Sequence, residues 1–255
     1  MTAPLLHRAT RRLRREQENF VFKARARLTR FSWDLPETTL RDLAGSDNVD
    51  LAPAILDDAG VPPYAGSPNH DDLQPILMIA RSLRPRTIVE LGTSYGNMTA
   101  NFCRQCPTAK VVTVNATPEQ QTGGITTHSL VREDIGRVYR ANGYSDRVVQ
   151  IFANTLKLDL GSTLRGSPVD LAVIDACHDT DYVMSDFKKI RPFVKPAGLV
   201  LFHDTHPSMK RHLIGSTMAC MLLRREGFDI RHLENSWWGA WKAPGNERGS
   251  AVPVG

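Results

Sequence analysis

No stretch of this 255-residue chain is apolar for long enough to cross a membrane. The longest apolar runs, around Ile76–Ala80 and Leu199–Phe202, are the size of a helix turn or a strand. Met1–Arg30 lacks the apolar core of a leader peptide, so the expectation is a cytoplasmic protein with no membrane partner. Cysteine is scarce: Cys103, Cys106, Cys177 and Cys220 are all there are. They offer one Cys-x-x-Cys pair, with no second pair and no histidine pair at finger spacing. This argues against a zinc site and favours ordinary reduced thiols. No internal repeat or low-complexity tract is visible, and the Gly-x-Gly-x-x-Gly loop of a dinucleotide site is missing. What remains is ordinary for a soluble globular protein, with 41% hydrophobic and 23% charged residues. A chain of this length can bury a sizeable core without disulfides or a structural metal.

The net charge of +5 is unevenly spread. Residues 1–30 carry nine Lys/Arg, including Arg11, Arg12, Arg14 and Arg15, against Glu16 and Glu18, a local charge of +7. The rest holds 23 basic and 25 acidic residues and is nearly neutral. A basic arm can bind nucleic acid or an anionic membrane surface. The body, however, has no matching basic stripe, and the arm has no aromatics between those arginines. A solvated helix packed on a partner subunit, hence a homo-oligomer through this extension, is the reading preferred here.

From Thr87 onward strands alternate with helices. Thr87–Leu91, Lys110–Asn115, Arg147–Phe152, Asp170–Asp175 and Gly198–Phe202 read as strands. Asn97–Cys106, Thr127–Ala141, Tyr182–Arg191 and Met209–Glu226 read as helices, with Asp71–Leu83 ahead of them. Phe228–Leu233 and Trp237–Trp241 are candidate last strands. Such alternation predicts βαβ units, a largely parallel sheet and helices on both faces. Residues 1–69 do not join it. They are expected to be a basic extension and a proline-rich covering loop on a domain spanning 70–255.

In an open parallel sheet, ligands bind beyond the carboxyl ends of the strands. Unusual polar residues gather at those ends. The first strand runs into Glu90-Leu-Gly92-Thr93-Ser94-Tyr95-Gly96, and the second ends at Asn115. The third is followed by Asn154, the fourth by Asp175-Ala-Cys-His178, and the fifth by His203-Asp204-Thr205-His206. An acid beside the glycine loop would repel a pyrophosphate and suits a cationic ligand bearing an amino group. A tight strand-to-helix turn that needs small residues is the other explanation of the glycines.

Glu90-x-Gly92-x-x-x-Gly96 on a strand–loop–helix resembles the first motif of class I S-adenosylmethionine-dependent methyltransferases. The stretches Ile174-Asp-x-x-His178 and His203-Asp-Thr205 resemble the small-molecule O-methyltransferase branch, including the metal-dependent catechol-type and macrolide-sugar enzymes. The resemblance covers roughly Thr87–Ala243. It implies a Rossmann-like, mostly parallel seven-stranded sheet with an N-terminal helical extension. It further implies a cofactor, S-adenosylmethionine, held by Glu90, Gly92, Thr93, Ser94, Gly96, Asn115, Asn154 and Asp175. Asn115 would meet the ribose and Asn154 the adenine, both as neutral amides where relatives often carry acids.

Asp175, His203 and Asp204 stand at the ends of adjacent strands, where they could hold one divalent ion, Mg²⁺ or Mn²⁺. The ion would bind the hydroxyl of a small-molecule acceptor and make it more acidic. His178, three residues after Asp175, is placed to act as general base. Relatives often carry more acids after the fifth strand, so the ion site expected here is weaker than theirs. A metal-independent enzyme with His178 alone is the nearest rival. A methyltransferase guided to nucleic acid by the arm is a second, and the absence of an Asn/Asp-Pro-Pro-Tyr motif counts against it. A binding or scaffold protein that keeps the fold without turnover is a third. Trp237, Trp238 and Trp241 are read either as a wall for the acceptor or, preferably, as core.

Overall fold

The computed structural model describes residues 35–55, 70–121, 130–205 and 214–245, with Leu13, Glu16, Gln17 and Phe20 as isolated helical positions. His206, His212 and Trp33, and nearly all of the basic arm, lie outside the described residues. One sheet organises the rest. Its strands are β1 (Glu37–Thr38), β2 (Thr87–Leu91), β3 (Lys110–Asn115), β4 (Val148–Phe152), β5 (Val169–Ile174), β6 (Val194–Phe202), β7 (Ile230–Leu233) and β8 (Gly239–Lys242). The spatial order is β1-β7-β8-β6-β5-β2-β3-β4. All neighbours are parallel except β8, which runs antiparallel between β6 and β7.

The longer helices are α1 (Leu40–Ala44), α2 (His70–Leu83), α3 (Asn97–Gln105), α4 (Arg137–Ala141), α5 (Leu160–Leu164), α6 (Thr180–Ile190) and α7 (Ile214–Arg225). Alternate strand residues face opposite layers, as the two-residue period requires. Val89, Leu91, Ala172, Ile174 and Phe202 pack on Val183 and Phe187 of α6 and Leu223 of α7. Ile88, Val111, Leu171, Val173 and Leu201 pack on Leu77 of α2 and Phe102 of α3. Strands buried on both faces read as near-continuous apolar runs, which is why they stood out in the sequence.

Three expectations need correcting. The sheet has eight strands where seven were expected. The extra one is Glu37–Thr38, which pairs with His232–Leu233 at the edge and comes from the extension. The helix expected over 127–141 is helical only from Arg137 within the described residues. Gly136, at φ +75°, precedes that helix in the left-handed region, and a Cβ there would lie 2.3 Å from the Tyr139 ring. β6 begins at Val194, ahead of Gly198, because the strand takes in Pro196 where the β5 pairing shifts register. All four cysteines are buried thiols, and burial pushes those of Cys103 and Cys106 up to about 11.

Candidate active site

The carboxyl ends of β2, β3, β5 and β6 meet along one edge. At the end of β2 the chain turns sharply into α3. Gly92 sits at φ +117°, and a Cβ there would lie 2.1 Å from the Asp175 carbonyl oxygen. The Asp175 amide donates to the Leu91 carbonyl at 2.8 Å. The glycine is therefore demanded by the close approach of the chain leaving β2 to the chain leaving β5. Gly96, at φ +89°, has a similar origin: a Cβ would press on Gly136 and the Tyr139 ring at 2.8–2.9 Å. Between them Ser94 is also left-handed, at φ +50°. Its amide donates to Asn115 Oδ1 at 3.0 Å, which ties the loop to the end of β3.

Glu90 lies buried beneath this loop. Thr99 of α3 and Thr113 of β3 both donate hydroxyls to its Oε2, the latter at 2.5 Å. Thr93 and Gln150 extend the network. Glu90 Oε1 and Ser94 Oγ are buried and have no hydrogen-bond partner among the described residues. Burial pushes the Glu90 carboxyl up to about 8; the two threonine hydrogen bonds pull it down, and Asp175 adds to the rise.

Asn115 is engaged at both ends, since its Nδ2 donates to the Ala116 carbonyl at 2.9 Å. Asn154 is buried and caps a short turn: it accepts from the Leu156 amide and donates toward the Gln120 carbonyl and Tyr182 Oη. A cavity of about 650 Å³ opens beyond β3 and β4, lined by Thr117, Gln120, Arg132, Gln150 and Phe152 among others. The Arg132 guanidinium lies 4.1 Å from the Phe152 ring centre. This space is on the Asn115 side of the edge; none of Asp175, His178, His203 and Asp204 lines it.

Those four residues cluster at the ends of β5 and β6. His178 Nδ1 is 2.7 Å from Asp204 Oδ2, and its Nε2 is 3.3 Å from Asp175 Oδ1. His203 Nδ1 is 2.9 Å from the same Asp175 oxygen and 3.4 Å from Asp204 Oδ1. The His178 side chain is 11% exposed and that of Asp175 30%, so the cluster is shielded yet open to solvent. Asp204 is buried. Burial works against its ionisation, but the His178 hydrogen bond and the two imidazoles outweigh it and hold the carboxyl below the usual range. Its backbone is left-handed at φ +60°, a conformation an aspartate adopts only when its surroundings hold it there. The hold comes from the next residue: the Thr205 amide donates to the Trp237 carbonyl at 3.0 Å, and its Oγ1 lies 3.0 Å from His232 Nδ1.

The donor atoms of Asp175, His178 and His203 lie within 4.8 Å of one another and could hold an ion. The set expected from the sequence was Asp175, His203 and Asp204; Asp204 lies against both imidazoles, 2.7 Å from His178 Nδ1 and 3.4 Å from His203 Nδ1. Trp238 is fully buried, with its ring centre 4.5 Å from that of His203. Trp241 packs with Phe187 and Phe228 in the core. Sequence reasoning missed Thr99, Thr113 and His232. A threonine inside the apolar run Lys110–Asn115 was the available signal for Thr113; His232 had none.

Residues 89–205 match the model of a family described as a methyltransferase domain. The match takes in 117 of the chain's 255 residues. The fold of this chain is shared by a Staphylococcus aureus protein provisionally named a caffeoyl-CoA O-methyltransferase: TM-score 0.53, 16% identity, 68% of this chain and 82% of that one. It is also shared by the O-methyltransferase TomG of Streptomyces achromogenes, involved in tomaymycin synthesis and solved with its cofactor: TM-score 0.50, 16% identity, 71% and 82% covered. The chain is 31% identical over 129 residues to the uncharacterized protein y4gI of Sinorhizobium fredii. That match takes in 51% of this chain and spans 14% of that relative's length. The sheet thus brings ten of the expected site residues to one edge in two groups: the loop set around Glu90–Gly96 with Asn115, and the set Asp175, His178, His203 and Asp204. Asn154 stands apart in its own capped turn. Among the described residues no helix is long and apolar enough to cross a membrane.

Proposed function

We propose that this protein moves the methyl group of S-adenosylmethionine to a hydroxyl oxygen of a small molecule, with His178 as the general base. The observation that carries the reading is the His178–Asp204 contact at 2.7 Å, set beside Asp175 on the same sheet edge as the glycine loop. Asp204, ionised and buried, fixes the proton on Nδ1 and leaves the lone pair on Nε2, which lies 3.3 Å from Asp175 Oδ1. Nε2 takes the acceptor's hydroxyl proton, and the charge on the resulting imidazolium is balanced by Asp204. The deprotonated acceptor oxygen would take the methyl carbon as its bond to the sulfonium sulfur breaks and S-adenosylhomocysteine leaves, with alignment supplying much of the acceleration.

The fit of the cofactor rests on the loop. Glu90 Oε1 and Ser94 Oγ are buried polar atoms in want of a partner, as expected where a polar ligand belongs. Glu90, Ser94, Asn115 and Asp175 would hold it, with the cavity beyond Asn115 available for its bulk. When bound, S-adenosylmethionine supplies the electrophilic methyl group.

A divalent ion is a second reading, favoured by the converging donors of Asp175, His178 and His203. Two imidazoles and one carboxylate fit an imidazole-binding transition-metal ion better than Mg²⁺, which wants oxygen ligands. His178 Nε2 cannot serve as ligand and base together, whereas an ion held by Asp175, His203 and Asp204 would leave it the base role. In this account residues 70–255 form the catalytic domain, residues 1–69 are its extension, and a hydroxylated small molecule is the partner. The test is calorimetry with S-adenosylhomocysteine, then methyl transfer to a panel of phenols, sugars and hydroxylated natural products. Turnover in excess EDTA selects the base reading. No transfer to any hydroxyl, despite cofactor binding, would refute it.

A further inference from the structure

Leu51–Ile55 has no regular secondary structure, yet its backbone is gripped as a neighbouring strand would be. The Ala52 amide donates to Gln105 Oε1 at 2.9 Å, and Gln105 Nε2 donates back to the Ala52 carbonyl at 2.7 Å. One helical turn earlier, the Ile55 amide donates to Asn101 Oδ1 at 2.8 Å, and Asn101 Nδ2 donates to the Ile55 carbonyl at 2.9 Å. Arg104 adds a bond to the Pro53 carbonyl at 2.9 Å. Asn101 and Gln105, four residues apart, share one face of α3. Both are buried, where an unmet amide is costly, so the pairing is specific.

This grip reaches the glycine loop by two routes. Asn101 Nδ2 also donates to the Asn97 carbonyl, in the first turn of α3 directly after Gly96. The buried Ile55 side chain clusters with Ala100, Val138 and Tyr139, with Tyr95 packed against them. The same α4 segment holds the loop: the Gly136 amide donates to the Ser94 carbonyl, and the Val138 amide to the Tyr95 carbonyl, both at 2.9 Å. Ile55 thus wedges the junction of loop, α3 and α4.

We propose that residues 51–55 form a strap whose seating is coupled to occupation of the Gly92–Gly96 loop, with Asn101 and Gln105 as its positioning residues. The proposal rests on the cofactor reading above. A ligand that orders the loop braces the junction and tightens the strap; a loosened strap leaves the loop to be ordered at the ligand's expense. The coupling is reciprocal by thermodynamic necessity.

The test is amide hydrogen exchange on the full chain with and without S-adenosylhomocysteine, beside calorimetry on the wild type, Asn101→Leu and Gln105→Leu. The ligand should slow exchange at Ala52 and Ile55 about tenfold, and each variant should bind it more weakly by about the same factor. A purely structural grip would lower the melting temperature of the variants and leave both readouts unmoved. If the wild type binds the ligand with unchanged exchange at Ala52 and Ile55, the coupling is overturned and the cofactor reading stands. If the wild type does not bind it, both fall. Should a variant fail to fold, the wild-type exchange measurement decides alone.

Discussion

The glycine loop and the His178 cluster lie on one edge of one sheet, and their acids behave oppositely. Glu90 is buried under threonine hydroxyls with no cation to balance it, and its carboxyl is pushed up to about 8. Asp204 is also buried, but two imidazoles face it, and its carboxyl is held low. Burial alone does not set the charge of a carboxylate; the partner brought to it does. The loop has glycines where a Cβ would clash and two buried polar atoms, Glu90 Oε1 and Ser94 Oγ, without a partner among the described residues. The cluster keeps a carboxylate beside an imidazole, the arrangement that the proposed base role requires.

The comparison breaks most visibly at the cluster. His178→Ala and Asp204→Asn should each cut turnover ~10²–10⁴-fold, measured with the best acceptor from the panel. The His178→Ala loss should shrink toward high pH, where hydroxide shares the deprotonation. Equal activity in either variant would remove the base role.

At the loop, Gly92→Ala should cost at least about 3 kcal/mol of folding stability, because the new Cβ meets the Asp175 carbonyl. Denaturant titration beside ligand calorimetry checks this. A stable variant that merely fails to bind ligand would mean the glycine serves the cofactor's path and not the close approach to Asp175.

The two acids also differ in how they tie stability to pH. A carboxyl whose folded pKa is raised keeps its proton in the native state after the unfolded chain has lost it. Stability therefore falls as pH climbs from about 4.5 to about 8 on account of Glu90. Asp186, buried in α6 and pushed up to about 7, acts in the same sense over a window ending near 7. Glu90→Gln and Asp186→Asn should each add on the order of 2 kcal/mol at pH 8 and nothing near pH 4, read from melting curves. For Asp204 the sign reverses. Its folded pKa is lowered, so its contribution is present above the ordinary aspartate value and lost as pH falls through the folded one. Asp204→Asn should destabilise at pH 7 by roughly 1 kcal/mol and lose that penalty in acid. The smallest expected effect is that of a chelator: excess EDTA should change turnover less than about twofold under the base reading.

Much of the framework was legible in the sequence because it rests on local rules. Strands such as Thr87–Leu91 and Lys110–Asn115 are β-branched runs bounded by glycine and proline, and they fall where periodicity put them. The tendency of parallel sheets to bind ligands at carboxyl ends then gathered Glu90, Asp175, His178, His203 and Asp204 without coordinates. Spacing could not say which partner each would choose. The donor atoms that converge are those of Asp175, His178 and His203, while Asp204 faces both imidazoles. Gly92 answers to a carbonyl 83 residues away in the chain. The two-residue strand Glu37–Thr38 and the strap at Leu51–Ile55 were invisible for the same reason: neither has a periodic pattern, and each is fixed only by what it docks on. The sequence by itself determined the alternation of elements and the chemistry available at their ends, because those follow from residue type and short-range period. Only the tertiary structure decided which imidazole meets which carboxylate and which acid stays neutral, because those depend on long-range contacts and on exclusion from water.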